Sequence, residues 1–473
     1  MSSLDPQDLF CSDDDGAAVP LLPLDAAGLA AWQGAADESA RRWAETATFS
    51  AAQGAVLTLP GEDGRLAAVL VGLGAEASPD TLADPWLWAG VAETVPAQHY
   101  RLPDDLAADA TRLAALGWAL AQYRFDRYRA PEAAPAPKRL CRPAALDLDA
   151  LAADIAAITR VRDLVNTPTN EMGPATLAAA AEEIAQRHGA AIDTTIGDEL
   201  LARNLPAIHA VGRAAAEAPR LIDLRWGEET APRVTLVGKG VCFDTGGLDL
   251  KGAKAMRLMK KDMGGGAHAL ALGERIMAAG LPVRLRVLVP AVENAVSGKA
   301  YRPGDVIATR KGLRIEIDNT DAEGRVVLAD ALALADEETP DILIDFATLT
   351  GAARVALGPD LPALFTPDEA LATALAATAA RERDPLWRLP LWQPYLAELK
   401  SDIADMANAA PGPFAGAITA ALFLGRFVER AKTWAHLDLY AWNQKPRPGR
   451  PAGGEAMSLR AVFVVLADRY GRS

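Results

Sequence analysis

The sequence predicts an α/β protein of two domains. A smaller N-terminal α/β domain spans residues 1–150, and a larger C-terminal domain spans 151–473 on a mainly parallel central sheet covered by helices. Three observations predict this. The chain has 473 residues, long for a single domain. Short β-rich runs alternate with helical stretches in both parts. Between the parts lies 130–143, rich in Pro and Ala, with Pro131, Pro135, Pro137 and Pro143, which reads as a loop or linker.

Residues 55–59 and 66–73 read as buried strands with Gly61 and Gly64 in the turn between them. Residues 106–128 carry a helical apolar period that ends in basic residues. A helix over 148–164 bridges the two halves and is stopped by Asn166-Thr-Pro-Thr-Asn170; a second helix covers 174–188. The runs 234–237, 283–289, 342–346 and 433–437 are β-rich, and helical stretches separate most of them. No internal repeat is present.

Half the residues are hydrophobic and 23% are charged, the composition of a soluble globular protein. The net charge of -14, with no long Lys/Arg run, argues against nucleic acid and anionic membranes as partners. Cys11, Cys141 and Cys242 are scattered and imply no disulfide framework, which points to a reducing compartment. Residues 1–15 are acidic and polar, unlike a secretory signal, and no apolar stretch is long enough to span a membrane. The expectation is a cytoplasmic protein.

The candidate chemistry starts at 234–266, VTLVGKGVCFDTGGLDLKGAKAMRLMKKDMGGG. A buried strand runs into a Gly-rich loop holding Lys239, Asp244 and Lys251, followed by Asp262 and three glycines. In open α/β sheets functional groups gather at the carboxyl ends of strands. Taken singly, Asp244 reads as a turn residue, Asp262 as a helix cap and Lys260-Lys261 as a solvated face. The second segment is Asn319-Thr-Asp-Ala-Glu-Gly-Arg325, after a β-rich run at 313–317. In an extended stretch Asp321 and Glu323 face the same side. Two such carboxylates repel unless a cation lies between them. Four carboxylates, Asp244, Asp262, Asp321 and Glu323, suffice to bridge two divalent ions. The histidines, His99, His188, His209, His268 and His436, form no spaced pair, which excludes His-rich zinc peptidase motifs.

Together these segments resemble the leucyl aminopeptidase (cytosol aminopeptidase, aminopeptidase A) family of dinuclear metallo-exopeptidases. GKGVCFDTGG, the Asp262 segment and NTDAEGR match in order and spacing. LVNTPTN at 164–170, SGKAYRPGDV at 297–306, DFATLTGA at 345–352, WAHLD at 434–438 and YRFDRY at 123–128 extend the likeness, which is dense from about residue 120 onward. The resemblance implies a metal-dependent hydrolase that removes the N-terminal amino acid from peptides. It implies two divalent ions per subunit, Mn2+ or Zn2+. One resembles the site of Asp244, Asp321 and Glu323; the other that of Lys239, Asp244, Asp262 and Glu323. A Lys amine ligates metal only when neutral, and adjacent cations and burial both favour that form. Lys251 and Arg325 match the catalytic cations, Lys251 stabilising an oxyanion. A bicarbonate is implied at Arg325 with the backbone around Ala322, Gly324 and Leu349. Met259, Asn319, Thr348, Gly351 and Tyr440 match the substrate pocket. A homohexamer is implied, with the N-terminal domain serving oligomerisation or regulation.

Two departures stand out. Tyr440 occupies a position where relatives carry a small residue, and 410–416, APGPFAG, differs from the usual Gly-rich loop. The first leaves preference for leucine open, and the second alters the rim of the cleft. Tyr440 either narrows the pocket or turns into the core. His436 and Asp438 read as structural, and Cys242 as packing. Two alternatives stay open: a two-metal hydrolase of another substrate class, and an additional DNA-binding role as in some bacterial relatives, which the acidic balance does not support.

Overall fold

The computed structural model describes residues 6–12, 17–129, 136–141 and 146–471. Part of the predicted linker, 130–135 and 142–143, lies outside the described residues. The chain divides into two compact units, Met1–Thr159 with Lys445–Ala452, and Arg160–Gln444 with Gly453–Ser473.

Among the described residues the smaller unit holds a six-stranded sheet. Its strands are β1 (Phe10–Cys11), β2 (Val19–Leu24), β3 (Val56–Pro60), β4 (Leu66–Gly72), β5 (His99–Arg101) and β6 (Arg139–Cys141). They lie in the order β1–β6–β5–β2–β4–β3, with β3 and β4 the antiparallel pair. Buried Trp88, Tyr100 and Trp118 fill the core, and each finds a carbonyl for its polar edge: Leu82, Pro96 and Lys138. Gly117 lets the helix Ala108–Leu120 close on Pro85, whose carbonyl oxygen would lie 1.8 Å from any Cβ there. That helix is shorter than the periodicity of 106–128 predicts. Gln122 turns back at its end, donating to Lys138 O at 2.9 Å and accepting from Lys138 N at 2.9 Å, so the chain docks on the strand instead of continuing helical. Strand register also brings Cys11 opposite Cys141, with sulfurs 2.7 Å apart.

The larger unit opens with β7 (Ala191–Ile196), β8 (Arg220–Trp226), β9 (Arg233–Gly238), β10 (Gly240–Asp244) and β11 (Arg284–Asn294). Then come β12 (Val306–Ala308), β13 (Arg314–Glu316), β14 (Ile342–Ala347), β15 (Ala363–Phe365), β16 (Trp387–Arg388), β17 (Met406–Ala407) and β18 (Trp434–Asp438). The main sheet runs β16–β15–β18–β14–β9–β11–β8–β7, and β10 pairs β11 beyond the end of β9. Its centre, β18–β14–β9–β11, is parallel as the sequence predicts, whereas β15 on β18, β8 on β11 and β7 on β8 are antiparallel. β12, β13 and β17 form a small side sheet.

Side chains of β14 alternate. Phe346 stacks on His268 of the helix Gly264–Ala278, while Leu343 and Ala347 join Val326 to Leu332 of the helix Glu323–Asp336. Helices therefore cover both faces, and the central strands are buried on both sides. No described helix is long and apolar enough to cross a membrane.

His268 is buried with both ring nitrogens engaged, Nδ1 at 2.6 Å from Gly264 O and Nε2 at 2.9 Å from Met457 N. A donor facing one nitrogen and an acceptor facing the other require the neutral imidazole. Burial pushes its pKa down to about 4. An unfolded histidine titrates near 6.5, so the unfolded state takes up the extra proton and stability falls as the pH drops through this window, by about 2 kcal/mol at pH 5. Urea midpoints at pH 7.5 and 5 should show this loss, and His268→Gln should remove it; an unchanged pH slope in the variant would reject the assignment.

Candidate metal centre

Close packing of glycines builds the centre. A Cβ on Gly238 would lie 2.5 Å from Gly265 O, and one on Gly265 would lie 2.1 Å from Phe346 O. The absence of side chains lets the Asp262 segment approach the ends of β9 and β14. Lys239 leaves the end of β9, and Asp244 ends β10. Asp262 sits on the short 3-10 turn Met259–Met263, and Glu323 opens the helix Glu323–Asp336. Gly324 gives the Lys239 side chain its path, since a Cβ there would lie 2.6 Å from Lys239 Cε.

Asp244, Asp262 and Glu323 each offer an oxygen within 4.8 Å of the others, and all three are buried. Two ammonium groups sit among the carboxylates. Lys239 Nζ lies 2.7 Å from Asp262 Oδ2 and 2.8 Å from Glu323 Oε1. Lys251 Nζ lies 2.8 Å from Asp244 Oδ2 and also contacts Asp321. Burial disfavours the charged form of both lysines, but the surrounding carboxylates outweigh it and hold both pKa values above the usual range. Burial, with repulsion from Asp244, drives Glu323 well above the carboxylate range and Asp321 up to about 6. Apart from the Lys239 ammonium at Oε1, Glu323 receives no hydrogen bond, and Oε2 is left without a partner. Hard carboxylate oxygens converging on a point, with Glu323 Oε2 orphaned, fit a divalent cation.

Neutral groups fix this cluster. Asn294 donates to Asp244 Oδ1 at 2.9 Å and to Thr320 O at 3.1 Å, and Tyr301 donates to Thr320 O at 2.6 Å. Thr348 Oγ1 donates to Asp262 Oδ1 at 2.8 Å. Asn408 accepts from Asp318 N and Asn319 N and so pins the NTDAEGR loop. Asp438 accepts from Leu349 N, Thr350 N and Thr350 Oγ1, holding the turn after β14. His436 pairs with Asp345 inside the core. Both residues are structural, as their sequence context indicates. Asn294 and Asn408 carry no pattern that sets them apart from core or turn residues, whereas Tyr301 and Asp438 fall within SGKAYRPGDV and WAHLD.

A cleft of about 490 Å³ opens over the cluster. Lys239, Asp244, Lys251, Met259, Asp262, Asn319, Asp321, Ala322, Arg325, Thr348, Leu349, Gly351 and Tyr440 all line it. Glu323 is buried at the cluster and Gly324 lies against Lys239. Arg325 donates to Asn408 O at 2.8 Å, its Nε has no acceptor, and burial pushes its pKa down to about 10. Lys261 overturns its reading as a solvated residue. It is 4% exposed, it lines the cleft, and burial pushes its pKa down to about 8.

Carboxylates from three segments, gathered around buried cations at the carboxyl end of a parallel sheet, define a metal-binding α/β enzyme. The family model for the catalytic domain of the cytosol aminopeptidase family matches residues 159–463, and that for the M17 aminopeptidase N-terminal domain matches residues 19–141. The chain belongs to the cytosol aminopeptidase family. It is 41% identical over 374 residues to a "probable cytosol aminopeptidase" of Geobacter sp. (strain M21), covering 76% of this chain and 75% of that protein. The crystal structure of cytosol aminopeptidase from Coxiella burnetii is similar with a TM-score of 0.92 and 46% identity, over 98% of this chain and 99% of that one. The bottromycin maturation enzyme BotP in complex with Mn is similar with a TM-score of 0.86 and 35% identity, over 96% and 99%.

The buried Glu323 carboxylate, paired on one oxygen only, costs stability when no metal compensates it. In chelator at pH 8, Glu323→Gln should raise the urea midpoint by the equivalent of about 1–3 kcal/mol, with Lys239 keeping Asp262 as partner. Excess Mn2+ should reverse the order, because ligand binding stabilises the wild type more. A variant that is weaker in chelator, or equally stabilised by Mn2+, would contradict this.

Proposed function

We propose that the chain is a metal-dependent aminopeptidase that removes the N-terminal amino acid from peptides. The observation that carries this is the buried Asp244–Asp262–Glu323 cluster at the floor of a cleft, in a chain of the cytosol aminopeptidase family. Lys239, Asp244, Asp262, Asp321 and Glu323 would hold two divalent ions, Mn2+ or Zn2+. When bound, such ions supply Lewis-acid polarisation of the scissile carbonyl and activate water at neutral pH. Asp262 and Lys239 mark the side on which a free substrate amine would be held, which accounts for action at the chain end only.

Lys251, released from Asp244 and Asp321 when cations take over those carboxylates, would donate to the developing oxyanion. Arg325 keeps an unused Nε donor in the cleft, which supports an anion such as bicarbonate there. The N–H of Leu349 already donates to Asp438 and that of Ala322 to Asn319 O, so the anion reading rests on Arg325. A homohexamer belongs to the same proposal, with the smaller unit in assembly or regulation. Exposed Trp387, Trp392, Tyr395, Ile403 and Phe414 in the larger unit support burial against other subunits. A cytoplasmic location is part of the reading.

Hydrolysis of aminoacyl-p-nitroanilides tests the proposal. Release should require Mn2+ or Zn2+, stop with chelator, and fail on Nα-acetylated substrate. Asp321→Ala and Lys251→Ala should each lower kcat by roughly a hundredfold or more. Metal-loaded protein that releases nothing, or that cleaves the acetylated substrate equally well, would overturn it.

A further inference from the structure

The wall of the cleft beyond Asp262 carries positive charge that the proposed chemistry does not use. Tyr440 lies at its centre, 5% exposed. The Arg354 guanidinium sits 4.5 Å from the centre of its ring and Lys261 Nζ sits 5.2 Å from it. All three line the cleft. Arg354 projects from the helix Gly351–Leu357, one turn after Gly351, and makes no ion pair among the described residues. Lys261 is almost wholly buried, and its nearest carboxylate oxygen, Asp262 Oδ1, is 3.8 Å away and already accepts from Thr348. Two like charges therefore lie against one aromatic ring, and Lys261 has besides it only Asp262 at 3.8 Å. A buried ammonium so weakly paired is costly, and with the half-buried Arg354 against the same ring an anion bound near both would relieve it.

The position of the pair says which part of a substrate would meet it. Lys261 adjoins Asp262, and Thr348 bonds to Asp262 and lines the same wall with Met259 and Tyr440. With the substrate amine held near Asp262, this wall receives the side chain of the N-terminal residue. We propose that the enzyme selects N-terminal residues with acidic side chains, whose carboxylate is bound by Arg354 and Lys261 beside Tyr440. Arg354 offers a planar fork matched to a carboxylate, and Lys261 a second donor from the cleft floor. Tyr440 narrows the pocket and holds both cations in place, which disfavours a bulky aliphatic side chain. Basic N-terminal residues meet like charge and are rejected.

This inference rests on the aminopeptidase reading, and the experiment separates the two. The Mn2+-loaded enzyme is assayed on Glu-, Asp-, Leu- and Lys-p-nitroanilides, with kcat/KM compared within each variant so that the active fraction cancels. The wild type should favour Glu or Asp over Leu, with Lys poorest. Arg354→Ala and Lys261→Met should each lower the Glu/Leu ratio by roughly tenfold to a hundredfold, the value of one charge-assisted hydrogen bond. Arg354→Glu should invert the order of Glu and Lys. Cleavage of Leu without preference for Glu or Asp, or ratios unchanged in all three variants, would overturn the inference and leave the aminopeptidase reading standing. Cleavage of no substrate by the wild type would remove both.

Discussion

The constraint on which the rest of the structure depends is the burial of Asp244, Asp262 and Glu323 within one small volume, with Asp321 close by. Carboxylates so placed repel each other and lose their hydration, and only cations make the arrangement tolerable. Lys239 and Lys251 provide two. Glu323 Oε2, which accepts no hydrogen bond, shows that the ammonium groups do not complete the balance. Much of the surrounding architecture serves this cluster. Glycines at 238, 265 and 324 remove side chains where backbone or Lys239 must pass. Asn294 ties Asp244 to the NTDAEGR loop, Tyr301 and Asn408 pin that loop, and none of the three adds charge at the centre.

The two sides of the cleft differ in charge balance. On one side carboxylates outnumber ammonium groups and call for divalent ions. On the other, Arg354 makes no ion pair among the described residues, Lys261 has only Asp262 at 3.8 Å, and both share the ring of Tyr440. A substrate carrying an amine and an acidic side chain on one α-carbon matches both sides at once. The geometry thus links the proposed chemistry and the proposed selectivity through Asp262, which touches Lys239, Lys261 and Thr348.

The central strands and the candidate residues were legible in the sequence because each carries a local signal. The runs at 234–237, 342–346 and 433–437 are short and rich in apolar and β-branched residues, as expected of strands buried on both faces. GKGVCFDTGG and NTDAEGR bring charge and glycine together in a pattern with few other uses. What was not legible depends on partners distant in sequence. The antiparallel edges follow from pairings of β7, β8 and β15 that no spacing announces. The helix expected over 106–128 stops at Leu120 because Gln122 finds Lys138. Lys261 resembles its solvated neighbour class until the turn at Met259–Met263 directs it inward. Arg354 offers one cation in an Ala-rich helix, and its meaning appears only when Tyr440 is set beneath it. The return of Lys445–Ala452 to the smaller unit likewise has no local signature.

In the proposed function the carboxylate cluster holds divalent cations in place of ammonium groups. Calorimetric titration of chelator-treated protein with Mn2+ tests it most directly. The account predicts binding of two ions per chain, greatly weakened by Glu323→Gln and accompanied by proton release, seen as a dependence of the heat on the buffer's ionisation enthalpy, as Lys239 changes from ammonium to neutral amine. No binding, or binding that the Glu323 substitution leaves untouched, would contradict it.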